Sequence, residues 1–326
     1  MSHLKKRKSV FRTIERAYRW KIHSLKAYRS AYHGLAAYRA ETERGALMIK
    51  PFKGSRRRIR QLASYSARLG KLGFRGMPLW KRTVSGKLWV SAKGRMYYVT
   101  PWVHGSKLDG RLSHLRKLGR VLARLHTLSR RLNLPPAPRS LLKEIRRQHT
   151  SFGRNMRFVR SQDHSAGRWF RENGSRCREL GLQAMACLQK QKVKALLRGE
   201  RKAPPLVHRD VTRPNVIVTG GKVSIIDWDS MERGSSYYDL VKTLTNTAGF
   251  HPGRMKALLK GYEEIRPLKK TERRLISALY RLPREAWYVC SRAKAGQPDA
   301  SMLAILDATW EERLLAVRWL DYWAEG

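Results

Sequence analysis

The sequence predicts an α+β chain of two lobes, a small antiparallel sheet followed by a larger helical part that contains one β-hairpin. Three observations predict it. Strand–turn–strand patterns fill residues 36–50 and 87–100. From residue 112 onward, apolar residues recur at helical spacing. That helical pattern is broken by Val216-Ile217-Val218, Thr219-Gly220-Gly221-Lys222 and Val223-Ser224-Ile225-Ile226, two short strands around a tight turn. At 326 residues the chain is longer than one compact core needs. The lobes are expected at 1–100 and 106–326, joined by a link at 101–105.

The elements follow in order. Residues 1–20 are basic and read as a helix, partly frayed. Ala36–Thr42 is a strand, Glu43-Arg44-Gly45 a turn and Ala46–Lys50 a second strand. Residues 55–70 form a helix with Ile59, Leu62, Tyr65 and Leu69 on one face. Lys87–Val90 and Met96–Thr100 are strands flanking the turn Ala92-Lys93-Gly94, and Pro101–Gly105 breaks the second of them. Leu112–Leu132 places Leu115, Leu118, Val121, Leu122, Leu125 and Leu128 on one face. His126 lies on that stripe and reads as a packed core histidine rather than a ligand. Asn133–Pro138 is a proline-rich connector. Residues 139–199 and everything from Tyr237 onward read as helical, with no internal repeat.

Hydrophobic content of 42%, with ten Trp and 13 Tyr, supports a packed core. A net charge of +46 attracts polyanions, or it only tunes solubility. Cys177, Cys187 and Cys290 show no C-x-x-C spacing, so neither a zinc site nor a disulfide framework is expected, which fits a reducing cytosol. The start, MSHLKKRKSVFRTIERAYRW, has no apolar run, and no segment approaches the ~20 apolar residues of a membrane span. A cytoplasmic location without membrane partners is the expectation.

The chemistry concentrates in LVHRDVTRPNVIVTGGKVSIIDWDS. The predicted hairpin returns Asp227 beside Asn215, and two hard oxygen donors suit Mg²⁺. Asp210, in the loop before the hairpin, is placed to accept a proton from a hydroxyl. H-R-D-x-x-x-x-N followed by a hairpin and an Asp resembles the core of kinase-like phosphotransferases, and Lys50 at the end of an apolar strand resembles their phosphate-binding lysine. Asp229 reads equally as a site residue or a partly exposed acid.

The segments GKLWVSAKGRMYYVTPWVHGSKLDG, LGRVLARLHTLSRRL and HRDVTRPNVIV…VSIIDWDSMERGSSYYDLVKTL resemble the aminoglycoside phosphotransferase and choline kinase superfamily. Within it, the chain is similar to the CotS-type spore coat kinase-like proteins. The resemblance runs from about Tyr38 onward. It implies a two-lobed protein-kinase-like fold that uses ATP and Mg²⁺, with Asp210 as the catalytic base and Asn215 and Asp227 as metal ligands. It also implies that Lys50 binds phosphate and that the main chain of Pro101 and Val103 faces the adenine. His208 and Asp239 would support the catalytic loop. The implied partners are a nucleotide and either an unidentified hydroxyl acceptor or spore coat proteins, with the spore coat as an implied location.

One departure stands out. Residues 44–108 contain no Asp or Glu, whereas an active kinase pairs its strand lysine with a glutamate on the next helix. In that helix Gln61 is the most carboxylate-like residue, so Lys50 is expected to lack a local anionic partner. Ser30–Gly34 also lacks a glycine-rich phosphate loop. A catalytically weak or inactive kinase-fold protein of the spore coat is therefore the alternative reading. Polycationic aminoglycosides fit a +46 chain poorly, and Glu263, Glu264, Glu311 and Glu312 are few and read equally as solvated helix residues. Neutral sugars, alcohols or acidic protein segments fit better. Nucleic acid has no recognition motif beyond charge and is not expected as a partner.

Overall fold

A computed structural model describes residues 2–30 and 34–326, so the middle of the Ser30–Gly34 segment lies outside the described residues. Packing divides the chain into two compact units, Met1–Lys107 with Asn215–Met231, and Leu108–Pro214 with Glu232–Gly326.

In the first unit, helix α1 (Ser2–Tyr18) precedes strands β1 (Ile22–Ser30), β2 (Gly34–Thr42) and β3 (Gly45–Phe52), helix α2 (Arg56–Lys71), and strands β4 (Val90–Ala92) and β5 (Arg95–Pro101). The sheet runs β1-β2-β3-β5-β4 with antiparallel neighbours. Side chains alternate across it. Leu47, Ile49, Tyr97 and Val99 share a buried cluster with Phe11, Ile14 and Tyr18 of α1. The basic first helix is thus a cover for one sheet face, and each fully buried Ile or Leu there contributes about 1.5–3 kcal/mol. The opposite face carries Lys50 directly across from Tyr98. On α2, Ile59, Leu62, Tyr65 and Leu69 are buried as their spacing predicts, and the Ser55 hydroxyl caps the helix by accepting from the Arg58 N–H.

The strand expected at Lys87–Val90 begins only at Val90. Thr83 N–H donates to the Lys87 carbonyl at 2.7 Å and Lys87 N–H donates to the Thr83 hydroxyl at 3.0 Å. This local loop consumes the backbone groups that a sheet would need. The β4–β5 turn has positive φ at Lys93 and Gly94, the two-residue geometry that matches strand twist.

Beyond residue 105 the sequence promised only one hairpin, yet three further short strands occur. β6 (Ser106–Lys107) joins the hairpin strands β8 (Val216–Thr219) and β9 (Lys222–Ile225) in the order β6-β8-β9. A Cβ at Gly105 would lie 2.2 Å from the Val218 carbonyl oxygen, so only glycine permits this approach. In the second unit β7 (Leu206–Val207) pairs with β10 (Glu232–Arg233). Two-residue strands are too short to show a period, which is why the pattern missed them.

The rest of the second unit is helical: α3 (Leu112–Arg130), α4 (Leu141–Arg160), α5 (Ser165–Gln189), α6 (Gln191–Lys202), α7 (Ser236–Ala248), α8 (Pro252–Glu263), α9 (Lys270–Arg281), α10 (Arg284–Lys294), α11 (Ala300–Ala308) and α12 (Trp310–Glu325). Helices α3 and α8 meet backbone to backbone. A Cβ on Gly261 would sit 1.8 Å from the Arg116 carbonyl oxygen, and one on Gly119 2.1 Å from that of Leu258. Among the described residues no helix is long and apolar enough to cross a membrane.

Candidate active site

The hairpin places its two candidate ligands at its open end. Val216 pairs with Ile225, and the Ile226 N–H donates to the Asn215 carbonyl at 2.8 Å, so Asn215 and Asp227 flank that last bond. Asp227 then adopts left-handed backbone geometry, φ 62° and ψ 64°. Such a conformation persists where its surroundings over-determine it. Here the Ile225 N–H donates to the Gly76 carbonyl, and the Trp228 indole donates to the Ile225 carbonyl at 2.6 Å. The Trp228 ring also meets Phe74 edge to face.

Lys50 has no anionic partner in its own acid-free stretch, as expected, but finds two elsewhere in the chain. Its Nζ lies 2.5 Å from Asp227 Oδ1 and 3.0 Å from Asp229 Oδ2. The partners come not from α2 but from the segment after the hairpin, 177 residues away in the case of Asp227. Tyr98, opposite Lys50 in the sheet, donates its hydroxyl to Asp229 Oδ1 at 2.7 Å. Burial presses the Lys50 ammonium down, but the carboxylates of Asp229 and Asp227 outweigh it, and the pKa stands above the ordinary lysine value. Burial, reinforced by Asp229, pushes the Tyr98 phenol well up. Asp229 is therefore a built part of this centre.

Helix α2 contributes through a cation instead of an acid. Arg58 Nη2 donates to the carbonyls of Asp229 at 3.1 Å and Met231 at 2.7 Å, and its Nη1 donates to Gln61. Gln61, the residue expected nearest in role to a glutamate, is occupied within its own helix by Arg58 and Tyr65. Arg58 and Tyr98 were both missed by sequence reasoning. The spacing between β3 and β5 carried the only signal for Tyr98, and nothing local marked Arg58 among its arginine neighbours.

In the second unit, Asp239 on α7 accepts the N–H groups of His208 at 3.0 Å and Arg209 at 2.7 Å. His126 Nε2 lies 3.2 Å from Asp239 Oδ2, and its Nδ1 lies 2.9 Å from the Tyr262 hydroxyl. His126 is a core histidine, as its position on the stripe suggested, and it also holds Asp239. Burial raises the Asp239 carboxyl, but its donors more than reverse that and hold it below the ordinary aspartate range. Burial keeps His126 low despite Asp239. A neutral ring facing an ionised carboxylate carries its proton on Nε2 and accepts from Tyr262 at Nδ1.

The same loop holds Arg209 at φ 71°. A left-handed arginine costs about 1–2 kcal/mol. Three contacts fix it: its N–H to Asp239, its carbonyl accepting from Lys242, and its guanidinium on Glu232 at 2.8 Å. The next residue is Asp210, whose N–H donates to His208 Nδ1 at 3.2 Å. Asn246 of α7 donates to the Val211 carbonyl.

Pro101 ends β5 opposite Leu47. The Trp102 N–H is taken by the Ala46 carbonyl at 2.9 Å. Val103 follows outside the sheet, half-buried.

An antiparallel sheet carrying a lysine, a hairpin flanked by Asn and Asp, and a helical unit with a braced H-R-D loop define a protein-kinase-like phosphotransferase fold. Residues 25–276 match the phosphotransferase enzyme family (APH), and the chain belongs to it. Among solved structures, an aminoglycoside phosphotransferase from Alicyclobacillus acidocaldarius is similar over 97% of this chain and 96% of its own, at 17% identity and a TM-score of 0.84. Spectinomycin phosphotransferase, solved with ADP and spectinomycin, is similar at 19% identity and a TM-score of 0.62, covering 97% of this chain and 93% of its own. An amicoumacin kinase, solved with AMP-PNP, Ca²⁺ and its ligand, is similar at 15% identity and a TM-score of 0.63, covering 98% and 96%. No curated protein sequence matches the chain.

Proposed function

We propose that the protein is an ATP- and Mg²⁺-dependent phosphotransferase acting on a hydroxyl acceptor. The carrying observation is the convergence of Asp227 and Asp229 on the Lys50 ammonium. Two carboxylates gathered on one cation beside Asn215 are a donor set that fits a hard divalent ion. Asn215 and Asp227 would hold Mg²⁺, which when bound neutralises phosphate charge. Lys50 would engage the phosphates, and the main chain of Pro101 and Val103 the adenine. Nucleotide seen in similar structures, with Ca²⁺ in one, agrees with this.

In the proposed step the Asp210 carboxylate takes the acceptor's hydroxyl proton. The acceptor oxygen forms a bond to the γ-phosphorus, the bond from that phosphorus to the bridging oxygen breaks, and ADP leaves. Asp239, with His208 and His126, positions the loop so that no reorganisation is needed during transfer.

The inactive-kinase alternative was motivated by the missing carboxylate on the helix after the lysine strand and by the family resemblance. Helix α2 still offers only Gln61 there, and Lys50 is held by Asp227 and Asp229 instead. A spore coat role and the CotS-type branch rest on the sequence resemblance alone.

The test is Mg²⁺-dependent ATP binding and turnover in the wild type, Asp210→Asn and Asp227→Asn, across a broad acceptor panel. The expected result is turnover in the wild type, a loss of about 10²-fold or more in Asp210→Asn with binding kept, and loss of metal-dependent binding in Asp227→Asn. Wild-type turnover no higher than that of Asp210→Asn sinks the enzyme reading.

A further inference from the structure

A cavity of about 340 Å³ lies in the second unit, lined by the start of α4, by α6 and by the residues just before α7. Five of its lining residues are cations: Arg139, Arg146, Lys194, Arg198 and Arg201. Glu200 is the one acid in the lining, and its charge is already engaged. It is buried and accepts from the Ser235 and Ser236 hydroxyls, the Ser236 N–H and Arg130. None of the five cations makes an ion pair among the described residues. Arg139 feels the charge of Glu144, but that carboxylate is held by Arg147 and Gln148. Arg146 donates to the Gln189 side chain and Arg201 to the Ala137 carbonyl at 3.3 Å, both neutral acceptors. The side chains of Lys194 and Arg198 make no hydrogen bond among the described residues.

The sequence of α6 brings this about. Lys194, Arg198 and Arg201 stand at i, i+4 and i+7, on one face of the helix. Lys190 and Lys202 extend the i, i+4 row at its two ends, with no acid in it. Like charges at i, i+4 destabilise an isolated helix by about 0.2–0.5 kcal/mol per pair. The helix dipole favours Arg201 in the last turn, but it gives no such help to Lys194 and Arg198. The neighbouring helices do interleave acids: Arg147 pairs with Glu144 on α4 and Arg176 with Glu179 on α5, each three residues apart. Cations gathered around a hollow without that relief concentrate anions there.

Size and lining decide which anion. The cavity is far larger than the ~10–15 Å³ of one water-sized group, and it falls at the lower end of the ~300–1,000 Å³ of small-molecule sites. Leu141, Leu142 and Leu197 give it an apolar wall as well. An inorganic ion would leave that wall in water, whereas a carbon skeleton bearing phosphates covers it. Arginine offers phosphate oxygens a two-pronged donor edge. Single-stranded nucleic acid is tracked by a groove with aromatic stacking platforms, and no aromatic residue lines this cavity. None of the lining residues belongs to the catalytic loop or to the Lys50 centre.

We propose that this cavity binds a small organic ligand carrying two or more phosphate groups, of the sugar bisphosphate kind, at a site separate from the catalytic loop.

The test follows thermal unfolding and titration calorimetry of the full chain with fructose 1,6-bisphosphate, fructose 6-phosphate and inorganic phosphate at fixed ionic strength. The bisphosphate should bind one site per chain and raise the midpoint most, and inorganic phosphate least. Combining Lys194→Gln with Arg198→Gln should weaken the bisphosphate about tenfold or more, because hydrogen bonds to charged groups are lost. Arg139→Gln, which acts from the segment before α4, gives the reading if the double variant fails to fold. Lys50→Met should leave the affinity as it is. An affinity unchanged in the double variant, or lost in Lys50→Met, overturns the site. Inorganic phosphate matching the bisphosphate overturns the assignment to an organic ligand. So does a single-stranded oligonucleotide that binds more tightly and depends on the same two residues. No saturable binding by any of the phosphorylated probes overturns the proposal as a whole.

Discussion

Lys50 faces Tyr98 across β3 and β5, and both side chains end on the same carboxylate, Asp229. One strand register thus delivers a cation and a phenol to one acid. Asp229→Asn should lower kcat/KM for ATP by about tenfold or more, since it removes one of the two carboxylates that fix the Lys50 ammonium. Tyr98→Phe removes a single bond to a charged group, about 1.5–3 kcal/mol, and should affect stability more than turnover. Steady-state kinetics and thermal unfolding on both variants check this, and equal activity in Asp229→Asn and wild type would refute it.

Arg58 ties α2 to the segment after the hairpin through two carbonyls. Arg58→Ala should cost about 1–3 kcal/mol, because those carbonyls lose their donor. Arg58→Glu should cost more, setting a carboxylate against two carbonyl oxygens. Denaturant unfolding gives both values, and an unchanged midpoint for Arg58→Glu contradicts the role assigned to it.

Acid should weaken the second unit through the Asp239–His126 pair. His126 is depressed below its ordinary 6.5, so the unfolded chain takes up a proton first as pH falls through that value. Asp239 is depressed below 3.8, so its contribution is present above that value and is lost at still lower pH. Both act in the same direction. His149, lowered by burial and by Arg178, adds to the loss. Between pH 7 and 5 the wild-type unfolding midpoint should fall, and His126→Gln should show a shallower fall. Parallel curves would exclude His126 as the source.

Gly261 lies where α3 and α8 meet. Overpacking of this kind costs typically 1–3 kcal/mol and more when backbone opposes it. Gly261→Ala, with its Cβ facing a carbonyl oxygen, should destabilise more than Gly296→Ala, where positive φ strains the backbone but nothing lies within 4 Å. Chemical denaturation of the two variants decides the order.

Much of this was legible in the chain itself. The hairpin, with positive φ at Gly220 and Gly221, and the flanking Asn215 and Asp227 follow from local turn chemistry and short-range spacing. The buried stripe of α3 follows from a period of 3.6. The partners of Lys50 did not, because they depend on register between strands and on a segment remote in sequence. An acid-free stretch around a lysine carries no sign of which distant acids the fold will bring to it. Arg58 was invisible for a different reason: three arginines in a row give no local sign of which one turns inward.

The anchoring of α2 by Arg58 has a consequence for control. Where a helix-borne glutamate holds the lysine, swinging that helix outward unhooks it and disarms the site. Here the hook and the eye sit on β3 and on the segment after β9, and α2 merely clasps the backbone alongside. A regulator that pulled on α2 would reach Lys50 only at second hand, through the Arg58 clasp on the Asp229 and Met231 carbonyls.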